Sequence, residues 1–309
     1  MKIDEKNFAK PGGSIATAAG ESSPVFITGL HKSGTTWLAL LLSHHPEIYV
    51  NYEAGFLDHQ ELLSSPERRL ENQPDDASLE RELRGLLDRW AGRPWNHWIE
   101  GVDRVAVETA ILRSAVELIA TAAVQRFKPE ATRWVDKTPR TAISKIREYF
   151  PYARVIYLMR DPRDRAISLY YHCLRTEPWV VDAETGLRRL KWEELFLSWA
   201  DDVSTNEKYF TEPWCRMIRY EDLLARPHQE VGKLLDFLGV ENDPGAVAHL
   251  IEEASFQRLS GGRQSGSEDR TSFYRKGVSG DWRNFESPAD LEPYWRICLA
   301  SAATYGYTE

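Results

Sequence analysis

The sequence predicts an α/β fold: a central parallel sheet of about four or five strands, with helices on both faces. Three observations lead there. Short apolar runs of the kind buried strands use, at residues 24–29, 153–159 and 215–219, alternate with longer stretches of helical spacing. The run at 153–159 leads directly into Asp161-Pro162, a helix start with proline in its first turn. A glycine-bearing loop, Gly29 to Gly34, joins the first strand to a helix, which aims backbone N–H groups and a positive helix end at one spot.

The elements follow in order. Residues 1–22, rich in Gly, Ala and Ser, predict a flexible leader, and residues 23–309 a single domain. The first strand lies at 24–29, and a helix at 35–44 ends at His45-Pro46. Residues 61–100 are polar and partly helical, with Trp90, Trp95 and Trp98, and residues 108–127 predict a long amphipathic helix. Strands at 133–136 and 153–159 bracket a short connection. Helices are expected at about 191–208 and across 221–238, on either side of a strand at 215–219. Residues 261–267, Gly-Gly-Arg-Gln-Ser-Gly-Ser, read as a flexible loop, and there are no internal repeats.

Composition narrows the function. A net charge of −8, with both signs spread along 309 residues, supplies no basic field for nucleic acid. Eleven Trp and thirteen Tyr favour aromatic-lined pockets. Cys173, Cys215 and Cys298 are odd in number and widely spaced, which suggests neither a disulfide framework nor a zinc site and fits a reducing compartment. The first ten residues lack the apolar core of a signal peptide, and no run approaches the roughly 18 apolar residues of a membrane span. The expected location is the cytoplasm. No oligomeric state is set by the sequence.

Three segments carry the chemistry. In Gly29-Leu30-His31-Lys32-Ser33-Gly34-Thr35-Thr36-Trp37 the two glycines have the spacing of an ATP-type phosphate loop, but Thr35 stands where that loop has its lysine, and Lys32 sits inside the loop instead. Arg160 ends a strand, where α/β sheets bind ligands, and Ser168 follows eight positions later on the next helix. Arg275-Lys276-Gly277-Val278-Ser279-Gly280-Asp281-Trp282-Arg283-Asn284 sets two cations among glycines, a composition that suits closure over an anion.

Together these segments resemble the PAPS-dependent sulfotransferases, enzymes that use 3′-phosphoadenosine 5′-phosphosulfate (PAPS), over about residues 24–285. The run Lys32-Ser33-Gly34-Thr35-Thr36-Trp37 is similar to the family's 5′-phosphosulfate loop. The resemblance implies that Lys32 contacts the oxygen bridging phosphate and sulfate, and that Trp37 packs on adenine. It implies that Arg160 and Ser168 grip the 3′-phosphate, joined by Arg275, Lys276 and Gly277. Ala254-Ser255-Phe256-Gln257-Arg258-Leu259 is similar to a stretch that flanks the adenine, so Ser255 and Phe256 are expected contacts. Arg219-Tyr220-Glu221-Asp222-Leu223 resembles a structural motif of the family. A tyrosine that touches adenine in many cytosolic members has no counterpart in Ser198-Trp199-Ala200.

The base needs separate treatment. Cytosolic members carry Lys-Thr-His, whereas this chain reads Lys137-Thr138-Pro139, and proline accepts no proton. Lys137 still matches a lysine near the transferring group. The tyrosylprotein sulfotransferases follow their loop with a helix, a His-Pro and a catalytic glutamate, and Glu53 falls at the matching distance after His45-Pro46. Glu53 is therefore the expected base, with His97 the second choice ahead of His31, His59 and His172. The expected reaction is in-line sulfuryl transfer from PAPS to an acceptor hydroxyl or amine, releasing adenosine 3′,5′-bisphosphate (PAP), with no metal required. A P-loop kinase and a nucleotide-binding protein without catalysis are the alternatives. The acceptor pocket is expected from residues 51–130 and 173–190, and small molecules, glycans and peptides all remain open as acceptors.

Overall fold

The computed structural model describes residues 24–57, 79–92, 103–176, 192–285 and 288–308. Five strands, β1 (Val25–Thr28), β2 (Ile48–Tyr52), β3 (Arg133–Lys137), β4 (Arg154–Met159) and β5 (Cys215–Arg219), pair in parallel in the order β2-β3-β1-β4-β5. The most apolar strand, β1, is central: Ile27 lies beside Lys137 on one side and Ile156 on the other. The chain builds β2 and β3 on one side of β1, then crosses to build β4 and β5. That reversal leaves a crevice at the carboxyl ends of the strands, where ligands of such sheets bind.

In chain order the helices are α1 (Thr35–Ser43), α2 (Leu79–Ala91), α3 (Arg104–Phe127), α4 (Ile143–Tyr149), α5 (Pro162–Thr176), α6 (Trp192–Asn206), α7 (Tyr220–Ala225), α8 (Pro227–Leu238), α9 (Pro244–Glu253), α10 (Phe256–Leu259) and α11 (Glu292–Thr304). Alternation along the strands feeds two cores. Phe26, Trp134, Val155 and Tyr157 point to one face, where Leu112 and Val116 of α3, Ile146 of α4, Ile167 of α5, Phe196 of α6 and Trp295 of α11 complete the packing. Val25, Ile27, Val135, Ile156 and Leu158 point to the other, against Leu38 and Leu42 of α1, Leu234 and Leu235 of α8, and Leu250 of α9. Phe26 is fully buried, with ring centres 5.7 Å from Trp134 and 5.0 Å from Phe150. Burying each such side chain contributes about 1.5–3 kcal/mol.

Three local differences from expectation have physical causes. Strand β2 was not foreseen: it is a five-residue edge strand whose run is broken by Asn51, and only Ile48 and Val50 are buried. The helix expected across 221–238 is two helices, because Pro227 cannot continue α7 and instead opens α8 at its first turn. Helix α3 starts a turn before residue 108, because the Asp103 side chain caps it by accepting from the Ala106 N–H at 3.1 Å. Among the described residues no helix is long and apolar enough to cross a membrane.

Candidate active site

Every strand delivers a residue to one cavity at its carboxyl end. Lys32 follows β1, Glu53 follows β2, Lys137 ends β3, Arg160 follows β4 and Tyr220 follows β5, and all five line a cavity of about 700 Å³. The same cavity is lined by Gly34, Thr35, Thr36 and Trp37 of the β1–α1 connection, Ser168 of α5, and Ser255 and Phe256 at the start of α10. Arg275, Lys276 and Gly277 complete it. Of the residues singled out in the sequence, Ser33 alone is not on its wall: it is buried in the loop, its N–H donating to the Leu30 carbonyl at 3.2 Å. His59 and His97 lie outside the described residues.

The loop after β1 is held from beneath by two arginines. Arg160 donates to the Lys32 carbonyl at 3.0 Å, and the buried Arg165 donates to the His31 carbonyl at 3.1 Å. Gly34 has φ 101°, and a Cβ there would stand 2.6 Å from the Tyr220 ring, so both conformation and crowding require glycine. The Arg160 guanidinium lies 4.5 Å from the centre of that Tyr220 ring, and its buried Nε has no protein partner. Sequence reasoning gave Tyr220 only a structural part. Its placement directly after β5 is the signal that adds it to the site.

Three residues other than glycine adopt positive φ among the described residues: Lys32 (68°), Glu53 (54°) and Arg140 (64°). All three follow sheet strands at the edge of this site. Strained backbone of this kind costs about 1–3 kcal/mol per residue and persists where surrounding contacts enforce it. The contacts here are visible: Glu53 N donates to the Lys137 carbonyl at 3.1 Å, and Arg140 N to the Gly29 carbonyl at 2.9 Å. Asp136, buried beside them, accepts from the Ala54 N–H; burial raises its carboxyl to about 7 despite that bond.

Lys137 Nζ is ion-paired with Glu53 Oε1 and donates to Thr36 Oγ1 at 3.0 Å. The Lys137 side chain is 6% exposed, whereas that of Glu53 is 51% exposed, so the carboxylate is reachable from the cavity while its partner is fixed. Lys32 Nζ lies 5.3 Å from the centre of the Phe273 ring. Burial, with the charges of Arg175 and Lys137 adding, holds the Lys32 ammonium down to about 8. His172 is pushed down to about 4 by burial, with Lys32 and Arg175 contributing.

At the other end the wall is apolar and aromatic. Trp37 donates from Nε1 to the Ala254 carbonyl at 2.8 Å and meets Tyr220 edge-on at 5.6 Å, which sets its indole beside Ser255 and Phe256. The loop expected to be flexible is tied together. Arg263 donates to the carbonyls of Ser267 and Arg275, each at 3.0 Å, and to Ser272 Oγ at 3.0 Å. Asp164 of α5 accepts from Gly280 N at 2.6 Å and Trp282 N at 2.8 Å, docking the segment that follows on that helix. Arg275 is ion-paired with Glu268 and Asp281, and Lys276 with Asp281. Trp199, within the segment that departs from the cytosolic pattern, is buried and donates from Nε1 to the Arg160 carbonyl at 2.9 Å.

The model of the sulfotransferase family matches residues 24–244. Sulfotransferase 2A1 of Homo sapiens is 27% identical over 157 residues, 47% of this chain and 55% of that protein. Sulfotransferase 1B1 of Canis lupus familiaris is 24% identical over 205 residues, 62% of this chain and 69% of that protein. The chain thus spans little more than half the length of the human relative. Two solved structures share the fold. The mouse sulfotransferase SULT7A1 complexed with PAP has a TM-score of 0.53 at 19% identity, covering 91% of this chain and 86% of that one. Retinol dehydratase in complex with androsterone and inactive cofactor PAP has a TM-score of 0.52 at 18% identity, covering 90% and 80%.

Proposed function

The chain belongs to the sulfotransferase family, and from that premise we propose that it moves a sulfuryl group from PAPS to an acceptor hydroxyl or amine. The observation that carries the proposal is the meeting of three sequence-distant motifs, around Lys32, Arg160 and Arg275, on one cavity. The residues present fit PAPS. Arg160 has a buried Nε without a partner among the described residues, α1 opens onto the cavity with no side-chain cap at Gly34, and the far wall is apolar enough for a base.

In this reading Arg160, Ser168, Arg275, Lys276 and the Gly277 backbone hold the 3′-phosphate. Gly34, Thr35 and Thr36 hold the 5′-phosphate, with Ser33 buried in the loop behind them, and Trp37, Ser255 and Phe256 flank adenine. When bound, PAPS supplies the sulfuryl group and a bisphosphate leaving group. Lys32 stabilises the charge that develops on the leaving oxygen. Glu53 takes the proton from the acceptor, its second oxygen having no partner among the described residues. Lys137, bonded to both Thr36 and Glu53, aligns the base with the phosphate loop. Lys32 and Lys137 supply the positive charge at the transferring group in this reading, which calls for no metal ion. Residues 23–309 act as one catalytic domain in this account, and three buried cysteines suit the cytoplasm.

The test is incubation with sulfur-labelled PAPS and a panel of phenol, alcohol, glycan and peptide acceptors, with and without excess EDTA. Label should pass to at least one acceptor class at the same rate in EDTA. Lys32→Ala, in folded protein, should lower kcat by about tenfold to a hundredfold. No transfer to any acceptor by protein that binds PAP would refute the catalytic reading.

A further inference from the structure

The cofactor reading leaves one cation of the cavity without a task. Ser168, His172 and Arg175 follow one another along α5 at intervals of four and three residues, so they share a face of the helix, and all three line the cavity. At about 1.5 Å per residue, His172 stands about 6 Å and Arg175 about 10 Å beyond Ser168. Ser168 belongs to the end assigned to the 3′-phosphate. Arg175 belongs to the opposite end, where its charge acts on Lys32, as do those of Lys137 and Glu53.

The partners of Arg175 are neutral. Its Nη1 donates to the Ser272 carbonyl at 2.8 Å, its Nη2 bonds to His172 Nδ1 at 2.8 Å, and its guanidinium lies 5.9 Å from the centre of the Phe273 ring. Among the described residues no carboxylate is paired with Arg175 or with Lys32, and Glu53 at this end is already paired with Lys137. Three cations thus face one carboxylate. Lys32 is accounted for by the leaving group, and Arg175 remains.

His172 completes the feature. A guanidinium has donors only, so the bond from Arg175 makes His172 Nδ1 an acceptor and leaves the ring proton on Nε2. The low value of about 4 agrees with a neutral ring. His172 is therefore a hydrogen-bond donor at Nε2 and is set aside as a base. Phe273, 53% exposed, adds an aromatic surface next to both cations.

Resting on the sulfuryl-transfer reading, we propose that Arg175 and the Nε2–H of His172 bind an oxyanion carried by the acceptor, so that the preferred acceptors are hydroxyl compounds bearing a carboxylate or a phosphate-like group. A fork of guanidinium donors matches either group, and the half-buried site keeps solvent from screening the pair. A neutral acceptor of the same shape leaves the Arg175 charge uncompensated.

The test uses the full chain saturated with PAP, and calorimetry with three matched phenols: 3-(4-hydroxyphenyl)propionate, its primary amide, and 4-hydroxybenzylphosphonate. At least one of the two anions should bind at least about tenfold more tightly than the amide, as expected for charge-assisted hydrogen bonds at a shielded site. The tighter of the two identifies carboxylate or tetrahedral oxyanion as the natural group. In Arg175→Met the preference for the anion should collapse to less than about threefold, with PAP affinity retained as the check on folding. His172→Gln, which keeps a side-chain N–H, should retain most of that preference, and Arg175→Lys part of it. Equal binding of acid, phosphonate and amide overturns the proposal, as does binding of none of them to PAP-loaded protein. So does a loss in Arg175→Met that falls equally on anion and amide, which would place Arg175 on the transferring group. Failure to bind PAP at all would instead overturn the cofactor reading, and this proposal with it.

Discussion

Lys32 and Glu53 line the same cavity, and Lys32 makes its own demand on pH. The Lys32 ammonium, held to about 8 against 10.5 for an ordinary lysine, is destabilised by burial and by its cationic neighbours. Between about 8 and 10.5 the unfolded chain therefore binds more protons at this position than the folded protein. The cost to stability is present in full below about 8 and relieved as pH rises toward 10.5. An anion bound beside Lys32 raises its pKa again. Calorimetry of PAP binding near pH 8.5–9, in buffers of different ionisation heat, should show uptake of a fraction of a proton, and in Lys32→Arg at the same pH that uptake should be gone. Glu53→Gln keeps shape and hydrogen bonding but cannot take the acceptor proton, so kcat should fall by about 10² to 10⁴ with cofactor affinity nearly intact. A rate within threefold of the parent with an alcohol acceptor would remove Glu53 as base. At this scale the sequence was informative where a motif names a residue, as for Lys32, Arg160 and Arg275. It was silent on Arg175 and on the tautomer of His172, because both depend on which face of α5 meets the cavity. The interval of seven residues from Ser168 is the signal that would have found Arg175.

The 261–284 loop shows how an element can read as slack and still be held in place. The glycines and serines of its first part, 261–267, predict flexibility, but one arginine, Arg263, satisfies four carbonyl and hydroxyl acceptors between Ser267 and Arg275, and Asp164 fastens its far end to α5. Such long-range side-chain bonds have no periodicity, so local pattern reading cannot register them. The same holds for β2, whose strand character comes from pairing with β3 and not from its own run of residues. Within the loop, Gly277 has φ 66°, and a Cβ there would stand 2.2 Å from the Phe256 ring. Gly277→Ala should therefore push the Arg275–Gly277 segment off its seat and weaken PAP binding by at least about tenfold, combining left-handed strain with a clash. If Gly277→Ala binds PAP as the parent does, the loop is not the clamp described here.

At the scale of the whole molecule the governing feature is the sheet. Parallel strands buried on both faces fix five carboxyl ends in a row, and each end carries a residue of the cavity: Lys32, Glu53, Lys137, Arg160 and Tyr220. The alternation of strands and helices, and therefore the class of fold, follows from hydrophobic pattern alone. The order β2-β3-β1-β4-β5, and with it the neighbouring positions of Lys137 and Glu53, follows from tertiary pairing that short apolar runs do not encode. Two segments 107 residues apart or more in sequence, Arg160 with Ser168 and Arg275 with Lys276 and Gly277, meet on one cavity, and the proposed function has them close on a phosphate that ordinary adenine nucleotides lack. Calorimetry of the full chain with PAP and with AMP measures that directly. The account expects PAP to bind at least about a hundredfold more tightly, as two or more charge-assisted hydrogen bonds require, and the margin to shrink in Arg160→Met and in Arg275→Met. Equal affinity for the two nucleotides would contradict it.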